Sequence, residues 1–294
     1  MSTKLQSRLA YGFLAPAGAV MLLCGVLPMI FVTYYSLHDT FAGNSFIWVG
    51  LDWYRRVLVS PDFHAALLRS IGFSLIVLLI EVPLGIYLAL RLPPKGWLSS
   101  LCIVFMAIPL LTPSIMVGFL WETLTLPTAG LIYEAAAWLG LNYNINNVYV
   151  AWLTLVLMDV WHWTGLVVLL CFAGLRAIPD DYYRAARIDG ASRWAVFRYI
   201  QLPKLRLVLL VAILLRFMDS FMIYAESYVI TRGGPGVSTI FLSHELVQVA
   251  TVQFDLGEGG AMAVIYFMII LAVCWAFFTL IVPRESETAE RTAP

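Results

Sequence analysis

Six ionisable residues, Glu81, Asp159, His162, Arg216, Asp219 and Glu226, lie inside long apolar runs of a 294-residue chain in which only 12% of residues are charged. Charges in hydrocarbon are expensive, so they face a bundle interior, a wet path or one another. Arg216 and Asp219 stand i,i+3 on a helix and can close an ion pair, which is the simpler, purely structural reading of those two. Asp219 and Glu226 are seven apart, so a continuous helix puts them on nearly one face, with Ser220 and Ser227 beside them and Tyr224 and Tyr228 at the flank. Carboxylates, hydroxyls and aromatic rings in one stripe suit a polyhydroxylated molecule, which needs hydrogen-bond partners for its O–H groups and flat apolar faces for its C–H groups. Asp159, His162 and Trp163 share a second face, from which Trp161 points away. The expected solute path therefore comprises Asp159, His162, Trp163, Asp219, Tyr224, Glu226, Ser227 and Tyr228. Glu226, with no partner near it in sequence, is the best pathway residue among them.

The elements that must position these groups are membrane spans. A hydrophobic content of 61% and a mean hydropathy of +0.86 lie outside the range of soluble domains. Six runs exceed the roughly 20 residues a bilayer requires, at about 12–37, 68–92, 98–121, 148–172, 205–231 and 260–283. The expected fold is thus an all-α integral membrane protein of six transmembrane helices in one transmembrane domain over 1–294. The apolar run behind the basic N-terminus continues to about Leu37 without a small-residue cleavage site, so it reads as a retained first span. Thirteen of the eighteen Lys and Arg residues fall on one side of this layout, seven of them between Arg176 and Arg206. By the positive-inside rule that side is cytoplasmic, as are both termini and the polar tail 284–294.

The charged loop 176–206 has its own local logic. Asp180 and Asp181 suit a helix N-terminus, Asp189-Gly190 supplies a turn in which glycine can take positive φ, and Ser192 can cap a second short helix that ends before Pro203. Trp194, Phe197 and Tyr199 alternate there with Arg193 and Arg198. Such an element can insert a knob into a groove on a partner or rest on anionic lipid, and charge placement does not distinguish the two.

The run Ala185, Ala186, Asp189, Gly190, Ala191, Phe197, Ile200, Leu202 and Pro203 resembles the EAA loop of permease subunits in bacterial ABC importers. Val49 to Ser74 resembles the lead into the second span of carbohydrate-uptake permeases, and Thr231 to Gly236, TRGGPG, resembles their outer Gly-Gly-Pro turn. The resemblance runs from about Leu9 to Val282 and points to the class of the maltose and glycerol-phosphate permeases, first-permease type. It implies a coupling helix between spans four and five that docks on an ATP-hydrolysing subunit through Arg184, Ala185, Ala186, Asp189, Gly190, Ala191, Trp194 and Phe197. It also implies contact with an external binding protein at Gly233, Gly234 and Pro235. Arg184 stands where that family carries the glutamate that names the loop.

The partners so implied are a second permease, two ATP-binding cytoplasmic subunits, a periplasmic or lipid-anchored substrate-binding protein and the lipid of the inner membrane. The cargo would be a sugar or polyol, glycerol or glycerol phosphate included. The chain has no G-x-x-x-x-G-K-[ST] phosphate loop, so ATP and Mg are expected on partner subunits. His38, His64, His162 and His244 have no metal-ligand spacing, the four cysteines no paired spacing, and zero net charge no basic surface for nucleic acid. Neither catalytic nor metal-binding residues are expected. A secondary transporter would instead use the buried carboxylates for ion coupling and should show repeated halves with broken helices.

Overall fold

Proline sets one of the two breaks in the apolar runs, and close backbone contacts set how tightly the helices pack. The computed structural model describes residues 14–40, 46–127 and 129–281. The tail 284–294 and the outermost residues of the first and last expected spans lie outside them. Helix α1 (Leu14–Ser36) leads to two short antiparallel strands, β1 (His38–Asp39) and β2 (Ile47–Trp48), which pair His38 with Trp48 and Asp39 with Ile47. The next elements are α2 (Asp52–Val59), α3 (Pro61–Arg91), α4 (Trp97–Leu110), α5 (Ser114–Thr125), α6 (Leu131–Trp138) and α7 (Val148–Arg176). The remainder is α8 (Asp180–Ile188), α9 (Arg193–Phe221), α10 (Ala225–Thr231), α11 (Leu242–Val247) and α12 (Leu256–Ile281). Among the described residues four helices, α1, α3, α7 and α12, are long and apolar enough to cross a membrane alone, and there are up to six spans if α4–α5 and α9–α10 each count as one.

Two of the expected spans are therefore not single helices. The run expected at 98–121 bends by 91° between α4 and α5. Proline disfavours helix at the residue before it, so α4 ends ahead of Thr112 and Pro113, and the Pro113 carbonyl opens α5 by accepting from Met116 and Val117. The run expected at 205–231 bends by 44° between α9 and α10. Conversely, the short helix expected to stop before Pro203 does not stop. Proline lacks an N–H and its ring crowds the carbonyl four residues back, and α9 absorbs this in a wide turn over Phe197–Gln201, where the Leu202 N–H reaches the Phe197 carbonyl five residues back.

By internal packing the described chain divides into two units. In the first, which joins residues up to His64 with Glu245–Ile269, the Trp53 indole donates to the His38 carbonyl at 3.1 Å and Ser36 bonds the Tyr54 hydroxyl at 2.6 Å. Gly260 lies so close to α1 that a Cβ there would stand 3.0 Å from the Val32 carbonyl oxygen. The apolar flank of α1 is exposed along its length.

The second unit, Ala65–His244 with Ile270 onward, holds two apolar clusters. One gathers Phe73, Val117, Leu155, Met158 and Phe241; the other gathers Ala89, Val167, Cys171 and Leu205. Its helices touch through glycines, as spans do where lipid supplies no hydrophobic drive to associate. A Cβ on Gly165 of α7 would lie 2.1 Å from the Met106 carbonyl oxygen of α4, and one on Gly118 of α5 would lie 3.0 Å from Cα of Glu226 on α10. Gly165→Ala should therefore lower the unfolding free energy by about 1–3 kcal/mol. Gly72→Ala, whose Cβ would meet nothing within 4 Å, should be tolerated. Thermal unfolding of the detergent-solubilised chain checks the contrast.

Candidate functional site

Between the two apolar clusters lies one charge network. Arg216 of α9 is wholly buried and donates through Nε and Nη2 to both oxygens of Glu81 on α3, at 2.7 and 3.1 Å. Nη2 also reaches Asp159 of α7 at 2.5 Å, and Nη1 reaches Asp219, one turn on, at 2.7 Å. The guanidinium plane lies over the Trp163 ring, 4.8 Å from its centroid. Burying a charge costs several kcal/mol unless it is paired and fully hydrogen-bonded, and every nitrogen of this guanidinium is engaged. Asp159 and Glu81 are sealed in, whereas the Asp219 side chain keeps 42% of its surface open. Asp219 is thus the face that this network shows to the outside. The i,i+3 pair read from sequence exists, as one arm of a four-residue network whose partners come from two other helices.

Each span break is sealed by a side chain from a neighbouring element. In lipid a freed carbonyl has no water to turn to. His162 of α7 donates from Nε2 to the Thr112 carbonyl at 3.1 Å, which fixes its tautomer, and its Nδ1 has no hydrogen-bond partner among the described residues. Ser243 of α11 donates to the Ile223 carbonyl at the other break. His162 therefore holds a helix end, beside Asp159 and Trp163 on the same helix.

The second break corrects the expected stripe. Asp219 and Glu226 belong to different helices, and the bend between them removes the common face. Ser220 and Ser227 are buried and give their hydroxyls to the Phe217 and Tyr224 carbonyls, so they line no surface. Glu226 is buried in the first turn of α10 against Gly118, with no ion pair among the described residues. Tyr224 and Tyr228 stack at 5.6 Å, with the edge of His244 on Tyr224 at 5.0 Å. Burial lowers the His244 pKa to about 4, so this ring is a neutral packing group. Tyr228 is the exposed member of the set.

The Gly-Gly-Pro turn is also built more tightly than a docking loop requires. Thr239 donates to the Gly234 carbonyl at 2.8 Å and its N–H to that of Gly233 at 3.1 Å, while Arg69 and Trp152 hold the Ile240 and Ser238 carbonyls. Gly233, at φ +90°, is buried, and a Cβ there would stand 2.8 Å from the Ile240 side chain. Gly234 and Pro235 are half-buried, so the surface this turn offers is Arg232, Gly236 and Val237.

The charged loop folds as α8, a turn and the start of α9. Gly190 sits at φ +68°; its N–H bonds the Arg187 carbonyl at 3.2 Å and the next N–H, of Ala191, bonds that of Ala186 at 2.9 Å. These two bonds make a Schellman cap. Ser192 then caps α9 by accepting from the Ala195 N–H at 3.2 Å. Ala186 is buried, and Ala185, Arg184, Asp189, Ala191 and Trp194 are exposed, with Phe197 half-buried and its ring tilted against that of Trp194 at 5.4 Å. Ile188 and Trp194 leave 86% and 69% of their surface uncovered. Arg184 pairs with Asp181 at 3.7 Å.

Residues 81–287 match the family described as binding-protein-dependent transport system inner membrane component. The chain belongs to this family. The trehalose/maltose transport system permease protein MalF of Thermococcus litoralis is 33% identical over 91% of each chain, and the trehalose transport system permease protein SugA of Mycobacterium tuberculosis is 28% identical over 94% of this chain and 89% of its own. A bacterial ABC transporter that imports the acidic polysaccharide alginate shares the fold, with a TM-score of 0.80 at 19% identity over 95% of this chain and 97% of the other.

For an inner membrane component of this family, the broken helices are no sign of ion coupling. Three of the four carboxylates that a secondary transporter would offer a cation, Glu81, Asp159 and Asp219, are already held by Arg216. Sequence reasoning placed Glu81 among the buried charges and left it out of the site, because its partner lies 135 residues away. Thr112 and Ser243 were missed as well; the Thr112-Pro113 pair carried the signal for the first, and nothing local marked the second. Arg216→Gln should cost about 3–5 kcal/mol, since it strands buried carboxylates. Asp219→Asn, at the open arm, should cost the least of the four positions. Chemical unfolding of the four single variants, monitored by tryptophan fluorescence, ranks them.

Proposed function

We propose that the chain is the first permease of a heterodimeric ABC importer for a sugar, and that it converts closure of two ATP-binding subunits into reorientation of a solute path. The observation that carries this reading is the loop 176–206: a capped turn that exposes Ile188 and Trp194 beside a groove of about 220 Å³ between α8 and the start of α9. Exposed apolar side chains around a rigid turn suit a protein cleft. ATP and Mg then belong to the docked subunits, and this side of the membrane and both termini are cytoplasmic, as the placement of basic residues supports. Relatives named for trehalose, maltose and starch degradation products support a sugar as cargo. A polyol, glycerol or glycerol phosphate belongs to the same chemical class. An external binding protein delivers the solute to the opposite side, where Arg232, Gly236 and Val237 are accessible.

Within the path, Asp219 offers an open carboxylate beside the Trp163–Arg216 stack, and Tyr228 offers an exposed ring next to Tyr224. Glu226, between these groups in sequence, becomes accessible when α5 and α10 separate at Gly118. Glu226→Gln should lower uptake while the complex still co-purifies with its second permease. Failed co-purification with unaltered solute preference among residual complexes would make Glu226 an interface residue instead. Radiolabelled uptake and subunit recovery from the same preparations decide.

Gly190 tests the loop. A β-branched residue at φ +68° carries a conformational cost of about 1–2 kcal/mol in the turn itself, with no contact to blame, because nothing lies within 4 Å of its Cβ. Gly190→Val should therefore separate ATP hydrolysis from transport in the reconstituted complex. Parent-like uptake per ATP would remove the turn from the coupling path.

A further inference from the structure

One stripe of α9 carries charges that the described protein does not neutralise. Arg198, Leu202 and Arg206 succeed one another at helical spacing, and the stripe continues through Leu209, Leu210 and Ile213. These residues line an open groove of about 340 Å³. Arg198 and Arg206 are exposed, and no ion pair, hydrogen bond or aromatic ring engages either of them among the described residues. Most neighbouring cations differ: Arg184 has Asp181, Arg187 has the Tyr183 carbonyl, Lys204 has the Tyr182 hydroxyl and Arg176 lies over Phe172, whereas Arg193, at the start of α9 and outside the groove, is likewise unengaged among the described residues. The groove therefore has two free guanidiniums at one end and only aliphatic carbon at the other.

We infer that this groove binds one anionic phospholipid, with the phosphate held between Arg198 and Arg206 and the first part of an acyl chain laid along Leu209, Leu210 and Ile213. The guanidinium fork matches a phosphate bidentately, and basic pockets beside spans take anionic headgroups. Eight residues of helix separate the two arginines by about 12 Å along the axis, within reach of two long side chains that converge on one group. Free phosphate would satisfy the arginines and leave the leucine end wet. A phospholipid carries both chemistries in one molecule, and it is present where an apolar span meets the membrane boundary. The site is independent of the transported solute. It lies on the helix that begins at the Gly190 turn and ends at the Arg216 network, so occupancy acts on the element that joins them.

The test is native mass spectrometry of the assembled complex released from nanodiscs of phosphatidylglycerol and phosphatidylcholine in equal parts. The parent should retain phosphatidylglycerol in preference, and R198Q/R206Q should reduce that preference about tenfold or more, as loss of two charge-assisted contacts requires. R91Q/K95Q, which removes the same charge elsewhere, should keep it. Ile213→Trp, which fills the apolar end and alters no charge, should lower retention too, and it carries the test if the double variant fails to assemble. Equal retention by parent and R198Q/R206Q overturns the proposal, as does an equal loss in R91Q/K95Q. If R198Q/R206Q sheds the second permease while each remaining chain keeps its phosphatidylglycerol, the groove is a protein interface and the lipid site is wrong.

Discussion

The Arg216 guanidinium is the charge on which the middle of the bundle depends. Buried side chains such as Val77, Val167 and Leu209 on either side of it are apolar and interchangeable in kind, and packing of that sort tolerates a slip along a helix axis. A guanidinium does not tolerate one. Its donors point in fixed directions, and Glu81, Asp159 and Asp219 meet them only when α3, α7 and α9 stand at one level. Such a network adds little net stability over an apolar core, so what it contributes is register. The two apolar clusters then pack at the heights the network sets.

The same solvent rule shapes the backbone. A helix may break inside a membrane protein only where something else satisfies the freed carbonyl. Here His162 and Ser243 do so, and each belongs to an element beside the break it seals. The breaks consequently sit next to the groups proposed to meet the solute, and a change in either helix angle alters Asp219, Glu226 and Tyr228 together.

Much of this was legible in the sequence where the chemistry is local. Asp189-Gly190 turned because a glycine at positive φ and a serine cap just after it need only their neighbours. The Arg216–Asp219 pair was legible for the same reason. Glu81 and Asp159 could not be assigned to Arg216, since pairing across 135 and 57 residues leaves no spacing signal. The break at Pro113 was written in the chain, yet hydropathy runs straight through it. The break after Phe221 has neither proline nor glycine; it depends on Ser243, and without that partner the stripe from Asp219 to Glu226 reads as continuous. At the Gly-Gly-Pro turn the glycines were visible, and the threonine and tryptophan bonds that bury Gly233 were not.

The wide turn at Phe197–Gln201 has a consequence for how the chain can change over time. A turn that closes five residues back instead of four holds one residue more than a regular helix, and each residue of helix rotates the rest of the element by about 100°. The direction in which Trp194 and Ile188 face, relative to the span that holds Arg216, is therefore indexed by a single position. Point substitutions in this segment leave the index alone, whereas loss of one residue would restore an ordinary helix and turn the loop to a different compass bearing. Length, more than composition, is what this stretch has to keep.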